Sequence, residues 1–146
     1  MIEVIIVLAV VGILALVSVG KSSAILTRWR VTRAAQALSE ELQAGFAIVG
    51  RNRKPITITL DTAKMELRLT DRAGVVYRTR NFGPTSPYRI DARDVTASRL
   101  SVEVYPPGLA ADSLSFMISR LGTKRRVRML RGGLVQICSS GATNKC

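Results

Sequence analysis

Hydrophobic residues are concentrated at the start of the chain. From Val4 to Gly20 only Ser18 is polar, and Lys21 ends this apolar run. A helix of this length, at about 1.5 Å per residue, approaches the minimum for crossing a bilayer. Glu3 stands directly before the run, and a carboxylate close to hydrocarbon costs free energy unless it has a partner. The pattern therefore predicts an apolar helix that carries one charge in need of pairing.

The helical pattern continues beyond the apolar run. Hydrophobic residues recur at mostly three- and four-residue steps, which is typical of a helix with one buried face. This stripe consists of Leu26, Trp29, Ala35, Leu38, Leu42, Phe46 and Val49. Gly50 and Pro55 are signals for the end of a helix. We predict one long helix, apolar in residues 1–20 and amphipathic in residues 21–50, followed by a domain of residues 51–146.

After Pro55 the hydrophobic period changes from 3.6 to 2, which indicates β-strands. Short strands at near-regular spacing predict antiparallel sheets, arranged as a sandwich that packs on the helix, and hence an α+β fold. The predicted strands are Ile56–Leu60, Met65–Thr70, Val75–Phe82, Arg89–Asp91, Leu100–Tyr105, Leu114–Arg120, Arg125–Leu130 and Leu134–Cys138.

The charge of the chain is strongly positive and unevenly distributed. The net charge is +12, with 22 lysines and arginines, 10 acidic residues and no histidine. Residues 113–146 contain 7 basic residues and no acidic one. A field of this sign attracts polyanions, so nucleic acid or anionic lipid is the expected kind of partner.

The basic residues of the C-terminal region cluster in the segment KRRVRMLR. Strand alternation puts Lys124, Arg126 and Arg128 on one face, opposite Val127 and Met129. Arg125 and Arg131 then fall on the apolar side, unless the adjoining turns let them swing outward. Three aligned cations could follow a phosphate backbone, and the scarcity of aromatic residues indicates contact that is insensitive to base sequence. The alternative is a solvated strand face in an arginine-rich protein.

The cysteines, the absence of histidine and the placement of the acidic residues indicate which chemistry the protein can perform. The only cysteines, Cys138 and Cys146, either form a disulfide that closes a small terminal loop, as expected in an oxidising compartment, or remain free thiols in a cytosolic protein. Without histidine, His-dependent triads and the usual zinc motifs are excluded. The acidic residues of the domain show no evident pairing in the sequence. We expect a protein that is not an enzyme and that uses no metal or cofactor.

The segment IEVIIVLAVVGILA, residues 2–15, resembles the N-terminal methylation segment of type IV pilins and type II secretion pseudopilins. The resemblance implies that Glu3 serves in filament assembly by pairing with the N-terminal amine of a neighbouring pilin subunit. It also implies a single-pass protein of the bacterial inner membrane, with its C-terminal domain outside the cytoplasm. Assembly would then transfer the subunit to a periplasmic or surface filament.

The family's basic leader, cleavage-site glycine and Phe-Thr pair do not precede Met1 in this sequence. We expect them upstream of a start codon that was assigned too far downstream. Prepilin peptidase would act on that longer precursor. The genomic reading frame tests this expectation.

Three C-terminal segments, VEVYPPG, LSFMISRLGTKRRVRML and GGLVQIC, resemble the GspH/FimT group of minor pilins and pseudopilins. FimT-type minor pilins are associated with DNA uptake in natural transformation, in which a C-terminal basic motif is implicated. Arg126 and Arg128 are the closest match to that motif.

The resemblance implies that the protein is a minor pilin that binds double-stranded DNA through its basic C-terminal strand. The candidate DNA-binding residues are Lys124, Arg125, Arg126, Arg128 and Arg131. The alternative is a structural pseudopilin of a type II secretion system with no nucleic-acid ligand. A third and weaker class is a membrane-anchored binding module unrelated to filaments.

Overall fold

The computed structural model of the chain describes residues 2–139, except for the side chains of residues 15–22 and 139. It begins with a single helix, α1 (Ile2–Asn52), as the sequence predicts. The helix ends two residues later than Gly50 because Arg53 supplies the left-handed residue that terminates it, with φ of 51°. The Arg53 amide donates to the carbonyl oxygen of Val49 at 2.9 Å, closing the last turn.

The rest of the described chain folds into two antiparallel sheets. Sheet A has the strand order β3-β2-β1-β5-β6, and sheet B has the order β4-β7-β8-β9. The strands are β1 (Ile56–Asp61), β2 (Glu66–Asp71), β3 (Val76–Asn81), β4 (Val95–Ala97), β5 (Ser101–Tyr105), β6 (Leu109–Ala110), β7 (Leu114–Arg120), β8 (Thr123–Met129) and β9 (Val135–Ser139). The predicted α+β class, a long helix packed on antiparallel sheets, is confirmed.

One predicted strand is absent and two short ones were missed. The segment Arg89–Asp91 is a loop that leads into a single 3-10 turn at Ala92–Asp94. The Asp94 carboxylate accepts from the amide of Asp91 at 3.1 Å, and this local bond favours the turn over a strand. Strands β4 and β6 have only 3 and 2 residues, too few for a period of two to be recognised in the sequence.

The core forms where the second half of α1 meets both sheets. Helix residues Val31, Leu38 and Leu42 are buried in one cluster with strand residues such as Ile58 and Phe116. The helix contacts β1 and β5 of sheet A as well as β7, β8 and β9 of sheet B. Its buried arc is therefore wider than the single stripe that the sequence predicts.

The burial of the helix begins later than the sequence predicts. Leu26 and Trp29, assigned to the buried stripe, are 55% and 59% exposed. Thr27 is already buried, at 7% exposed, but burial of apolar side chains starts only at Val31. The large apolar residues from Ile2 to Leu14 are exposed as well, at 50–74%. Over the described residues, no helix is both long and apolar enough to span a bilayer.

Gly133, in the turn between β8 and β9, lies against the helix. Its φ is 84°, and a Cβ built on it would stand 3.2 Å from Cδ1 of Phe46. Both the left-handed backbone and the aromatic ring therefore require a residue without a side chain here. Gly132, the preceding residue, has open space around it.

We expect Gly133→Ala to lower the free energy of unfolding by about 1–3 kcal/mol, since a left-handed alanine costs about 1–2 kcal/mol before any contact with Phe46 is counted. Gly132→Ala is the matched control and should change stability by less than about 0.5 kcal/mol. Chemical denaturation followed by circular dichroism measures both. An equal loss in the two variants would contradict the close approach to Phe46.

Candidate nucleic-acid interface

Strand β8 carries the basic cluster in the alternation that the sequence predicts. Val127 and Met129 are buried against the helix and the core. Lys124 and Arg128 are exposed, and Arg126 between them is half-buried. These three side chains belong to the opposite face of the strand, which we call the outer face of sheet B.

The strand register extends this outer face across its neighbours. On β7, Ser115, Met117 and Ser119 pair with Arg128, Arg126 and Lys124 respectively. On β9, Gln136 pairs with Arg128 and Cys138 pairs with Arg126. Every cross-strand neighbour of the cationic row within residues 2–139 is therefore uncharged. A phosphate backbone laid along β8 would meet cations and neutral polar groups at these positions.

The other two predicted residues lie apart from this row. Arg125 shares the face of Val127 and stands opposite Ile118 and Ser139. Arg131 follows β8 in the turn, and its Nη2 is 3.5 Å from Oδ1 of Asp112. The structure thus brings together three of the five candidate residues and directs the other two elsewhere.

Elsewhere in the domain the positive charge is largely offset by ion pairs. Around sheet A, Arg68 lies 2.7 Å from Glu66, and Arg72 lies 2.6 Å from Glu103. No pairing of these acidic residues is evident in the sequence, whereas the structure places them against arginines. The arginines in ion pairs are Arg68, Arg72, Arg78, Arg80, Arg93, Arg99, Arg120 and Arg131.

Three cations of β8 differ from those arginines. Among the described residues, Lys124, Arg125 and Arg128 have no carboxylate within ion-pairing distance. The acidic residues of the domain are concentrated around sheet A and the loops, where they meet arginines. Pairing therefore leaves a positive surplus on the outer face of sheet B.

Glu41 is a further charged residue whose position the sequence did not reveal. Its side chain is 1% exposed, and its Oε1 lies 2.9 Å from Nη2 of Arg78 and 3.1 Å from Nε of Arg80. Both arginines are on β3, so the contact joins the helix to the edge of sheet A. Glu41 is not part of the apolar stripe that the sequence predicts, and it is buried because the arc of α1 that contacts the sheets is wider than that stripe.

Contacts with arginines and with hydrogen-bond donors lower the pKa values of two carboxyl groups, those of Glu103 and Asp112. Hydrogen bonds from Arg72 and the Tyr105 hydroxyl, at 2.6 and 2.7 Å, lower the pKa of Glu103. The pKa of Asp112 is lowered first by the backbone amide of Ser113 and then by the charges of Arg99 and Arg131. Both carboxylates therefore keep their charge to a lower pH than free carboxyl groups do.

The other predicted sites are Glu3 and the pair of cysteines. Glu3 lies in the first turn of α1 and is exposed. Cys138, on β9, is disulfide-bonded, whereas Cys146 lies outside the described residues, so the pairing of the two stays a prediction. Within residues 2–139, no group of three or more acidic residues and cysteines is arranged to hold a metal ion.

No protein-family model and no curated protein matches this chain. Among solved structures, the chain is similar to the type IV minor pilin FimU of Pseudomonas aeruginosa in two crystal forms. In the first the TM-score is 0.61 at 19% identity, over 82% of this chain and 96% of that chain. In the second it is 0.59 at 18% identity, over 80% and 99%. The chain therefore has the fold of a type IV minor pilin, in agreement with the resemblance of its sequence.

Asp112 gives a pH-dependent prediction. Its pKa is depressed from 3.8 in the folded protein, so its contribution to stability is complete above about pH 4 and is lost as the pH falls further. The difference in unfolding free energy between the wild type and Asp112→Asn should be greatest near neutral pH and shrink below pH 4. Urea denaturation from pH 7 to pH 3 measures it. A difference that does not vary with pH would contradict the assignment.

Proposed function

We propose that this chain is a minor pilin, a subunit of a type IV pilus-like filament, and not an enzyme. The observation that carries the proposal is the combination of a minor pilin fold with an exposed apolar helix. The side chains from Ile2 to Leu14 leave a long apolar surface uncovered by the chain's own domain. Such a surface needs a lipid or protein partner, and a filament of parallel helices supplies one.

Membrane and filament would cover this surface in succession. Before assembly, the apolar half of α1 would be held in the inner membrane, after prepilin peptidase has processed a longer precursor. In the filament, the same half would pack against other pilin subunits. Glu3 would then pair with the N-terminal amine of a neighbour, because a carboxylate in an apolar bundle is tolerated only when it is neutralised.

We further propose that the outer face of sheet B binds double-stranded DNA during DNA uptake. Alternate residues of a strand are about 7 Å apart, a spacing comparable to that of successive phosphates along one DNA strand. Lys124, Arg126 and Arg128 can therefore each approach a different phosphate. Arginine suits this contact because its planar guanidinium donates two parallel hydrogen bonds to phosphate oxygens.

The contact would be directed to the backbone and insensitive to base sequence. The cross-strand neighbours of the row are serine, methionine, glutamine and cysteine, so the face offers no aromatic stacking platform. Arg131 would contribute less than the row, since Asp112 offsets its charge. Arg125 lies on the other face of β8 and would act only through the general positive field.

The fold alone does not distinguish a DNA-binding minor pilin from a structural pseudopilin of a type II secretion system. DNA binding distinguishes these two functions, because a pseudopilin without a nucleic-acid ligand would assemble and yet fail to bind DNA. The decisive quantity is the dependence of binding on salt, which counts the phosphates that the protein neutralises.

Replacing Lys124, Arg126 and Arg128 together by glutamine should weaken binding to duplex DNA. It should also reduce the slope of log K against log salt by about 2 to 3, since each phosphate contact contributes about 0.9. Gel-shift titrations of the full chain in detergent across a salt series measure both quantities.

The matched control replaces Arg68 and Arg72 by glutamine, since both already pair with carboxylates at 2.6–2.7 Å. This variant should keep the slope of the wild type. An unchanged slope in the β8 variant would show that the DNA site is elsewhere. Absence of DNA binding by the wild type would favour the pseudopilin function.

Glu3→Gln should reduce incorporation into filaments by more than about tenfold, since removing one partner of a buried ion pair costs about 3–5 kcal/mol. The domain should remain folded because Glu3 lies outside the core. Immunoblots of sheared filaments against total protein measure incorporation. Glu40→Gln, on the same helix with a side chain 69% exposed, is the control, and equal losses in both variants would argue against pairing through Glu3.

A further inference from the structure

One face of α1 stays uncovered at the level where the folded domain begins. Thr27 and Val31 are 7% and 0% exposed, and they are the first side chains of the described helix that the domain covers. Ile25 and Trp29 lie on the opposite side of the same two turns and are 56% and 59% exposed. Leu26, beside them, is 55% exposed. An apolar surface therefore continues along the helix past the start of the domain.

This apolar face is accompanied by positive charge. The charged residues between positions 4 and 39 are all basic, namely Lys21, Arg28, Arg30 and Arg33. The guanidinium carbon of Arg33 lies 5.8 Å from the centre of the Trp29 ring, which is a cation–π contact. Among the described residues, no carboxylate lies within ion-pairing distance of the three arginines. The face thus combines exposed apolar side chains with cations that lack a carboxylate partner.

We propose that residues 25–33 of α1, which we call the interfacial segment, bind the anionic headgroup region of a phospholipid bilayer and fix the depth of the helix. The proposal rests on the membrane stage of the function proposed above and specifies where the helix stops. Tryptophan is enriched at the boundary between headgroups and hydrocarbon because its ring is amphipathic. Arginine near that boundary is attracted by the phosphate groups of the lipids.

The position of the domain sets the same depth independently. A folded domain with a charged surface cannot enter hydrocarbon, so Thr27 cannot lie deeper than the headgroups. Glu3 and Trp29 belong to one continuous helix and are about 39 Å apart along its axis. A bilayer with both headgroup layers is about 40–45 Å thick. With Trp29 at one boundary, Glu3 reaches the headgroups at the other boundary, where its carboxylate is hydrated.

The charges favour lipid over a second copy of the chain as the partner of this face. Because residues 4–39 contain no acidic residue, a second copy of this stretch would set arginines against arginines. A bilayer instead offers phosphate groups to the arginines and acyl chains to Ile25 and Leu26. Duplex DNA would satisfy the arginines alone and leave these two apolar side chains in water.

Trp29 is the only tryptophan of the chain, so its fluorescence tests the proposal directly. The full chain is reconstituted into vesicles of phosphatidylcholine and phosphatidylglycerol that carry bromine, a fluorescence quencher, at a shallow or a deep acyl position. Shallow bromine should quench Trp29 more strongly than deep bromine, because the ring lies at the hydrocarbon boundary, about 15 Å from the bilayer centre. With bromine on only one of the two lipids, phosphatidylglycerol should be preferred beside Trp29 by about fivefold or more, the factor for one cation at an anionic surface.

The variant replaces the arginines of the interfacial segment together by glutamine, at Arg28, Arg30 and Arg33. It should lose most of the preference for phosphatidylglycerol, since the charges nearest the ring are removed. Shallow bromine should still quench Trp29 more strongly than deep bromine, because the ring itself remains.

The matched control replaces three exposed cations at the other end of the same helix by glutamine, at Arg51, Arg53 and Lys54. They begin about 33 Å beyond Trp29 along α1, outside the range of about 8–10 Å over which exposed charges act at physiological salt. This variant should keep the lipid preference of the wild type. Thermal unfolding of both variants verifies that the domain is intact.

The outcomes distinguish failure of the interfacial segment from failure of the membrane stage. If the chain floats with the vesicles but deep bromine quenches Trp29 as strongly as shallow bromine, or the Arg28, Arg30 and Arg33 variant keeps the lipid preference, the interfacial segment is wrong and the membrane stage stands. If Trp29 is unquenched in vesicles and its emission shifts to shorter wavelength only in assembled filaments, a neighbouring subunit covers this face and the proposal is wrong. If the full chain does not float with vesicles, the membrane stage fails as well.

Discussion

The packing of the second half of α1 against both sheets is the contact on which the rest of the structure depends. Val31, Leu38 and Leu42 lie in one core with residues of both sheets, among them Ile58 and Phe116. Because Val127 and Met129 are anchored in this core, strand β8 has one fixed orientation, and its alternate residues must point outward. The cationic row is therefore a consequence of hydrophobic packing on the reverse side of the same strand.

The distribution of charge depends on a second constraint, the pairing of arginines with the few carboxylates available. A chain with 22 basic and 10 acidic residues cannot neutralise every cation. The surface is therefore positive wherever cations have no carboxylate nearby. Sheet A and its loops hold pairs such as Arg72–Glu103, whereas the described cross-strand neighbours of Lys124, Arg126 and Arg128 are uncharged. The cationic row of β8 is therefore one of the places where positive charge is not offset; the end of the helix, with Arg51, Arg53 and Lys54, is another.

The sequence predicted the features that depend on local periodicity. The long helix, most strands and the outward row Lys124, Arg126 and Arg128 follow from periods of 3.6 and 2. Features that depend on contacts between residues far apart in the sequence could not be predicted from these periods. The ion pair of Glu41 with Arg78 spans 37 residues, and the exposure of Trp29 depends on which part of the helix the folded domain covers. The left-handed backbone of Leu121, with φ of 45°, was not predicted because Leu121 and Gly122 do not match the preferred turn dipeptide.

Strand β3 is an open edge of sheet A, and unpaired strand edges are templates for association with other chains. Arg78 and Arg80 on this strand reach back to Glu41 on the helix. The charges at this edge discourage strand-to-strand contact with another copy. In a filament of the kind proposed, assembled through the helix, this arrangement would suppress a competing mode of growth. The buried glutamate would thereby contribute to the choice of polymer, since it holds the arginines of the sheet edge in place while the apolar half of the helix remains available to neighbours.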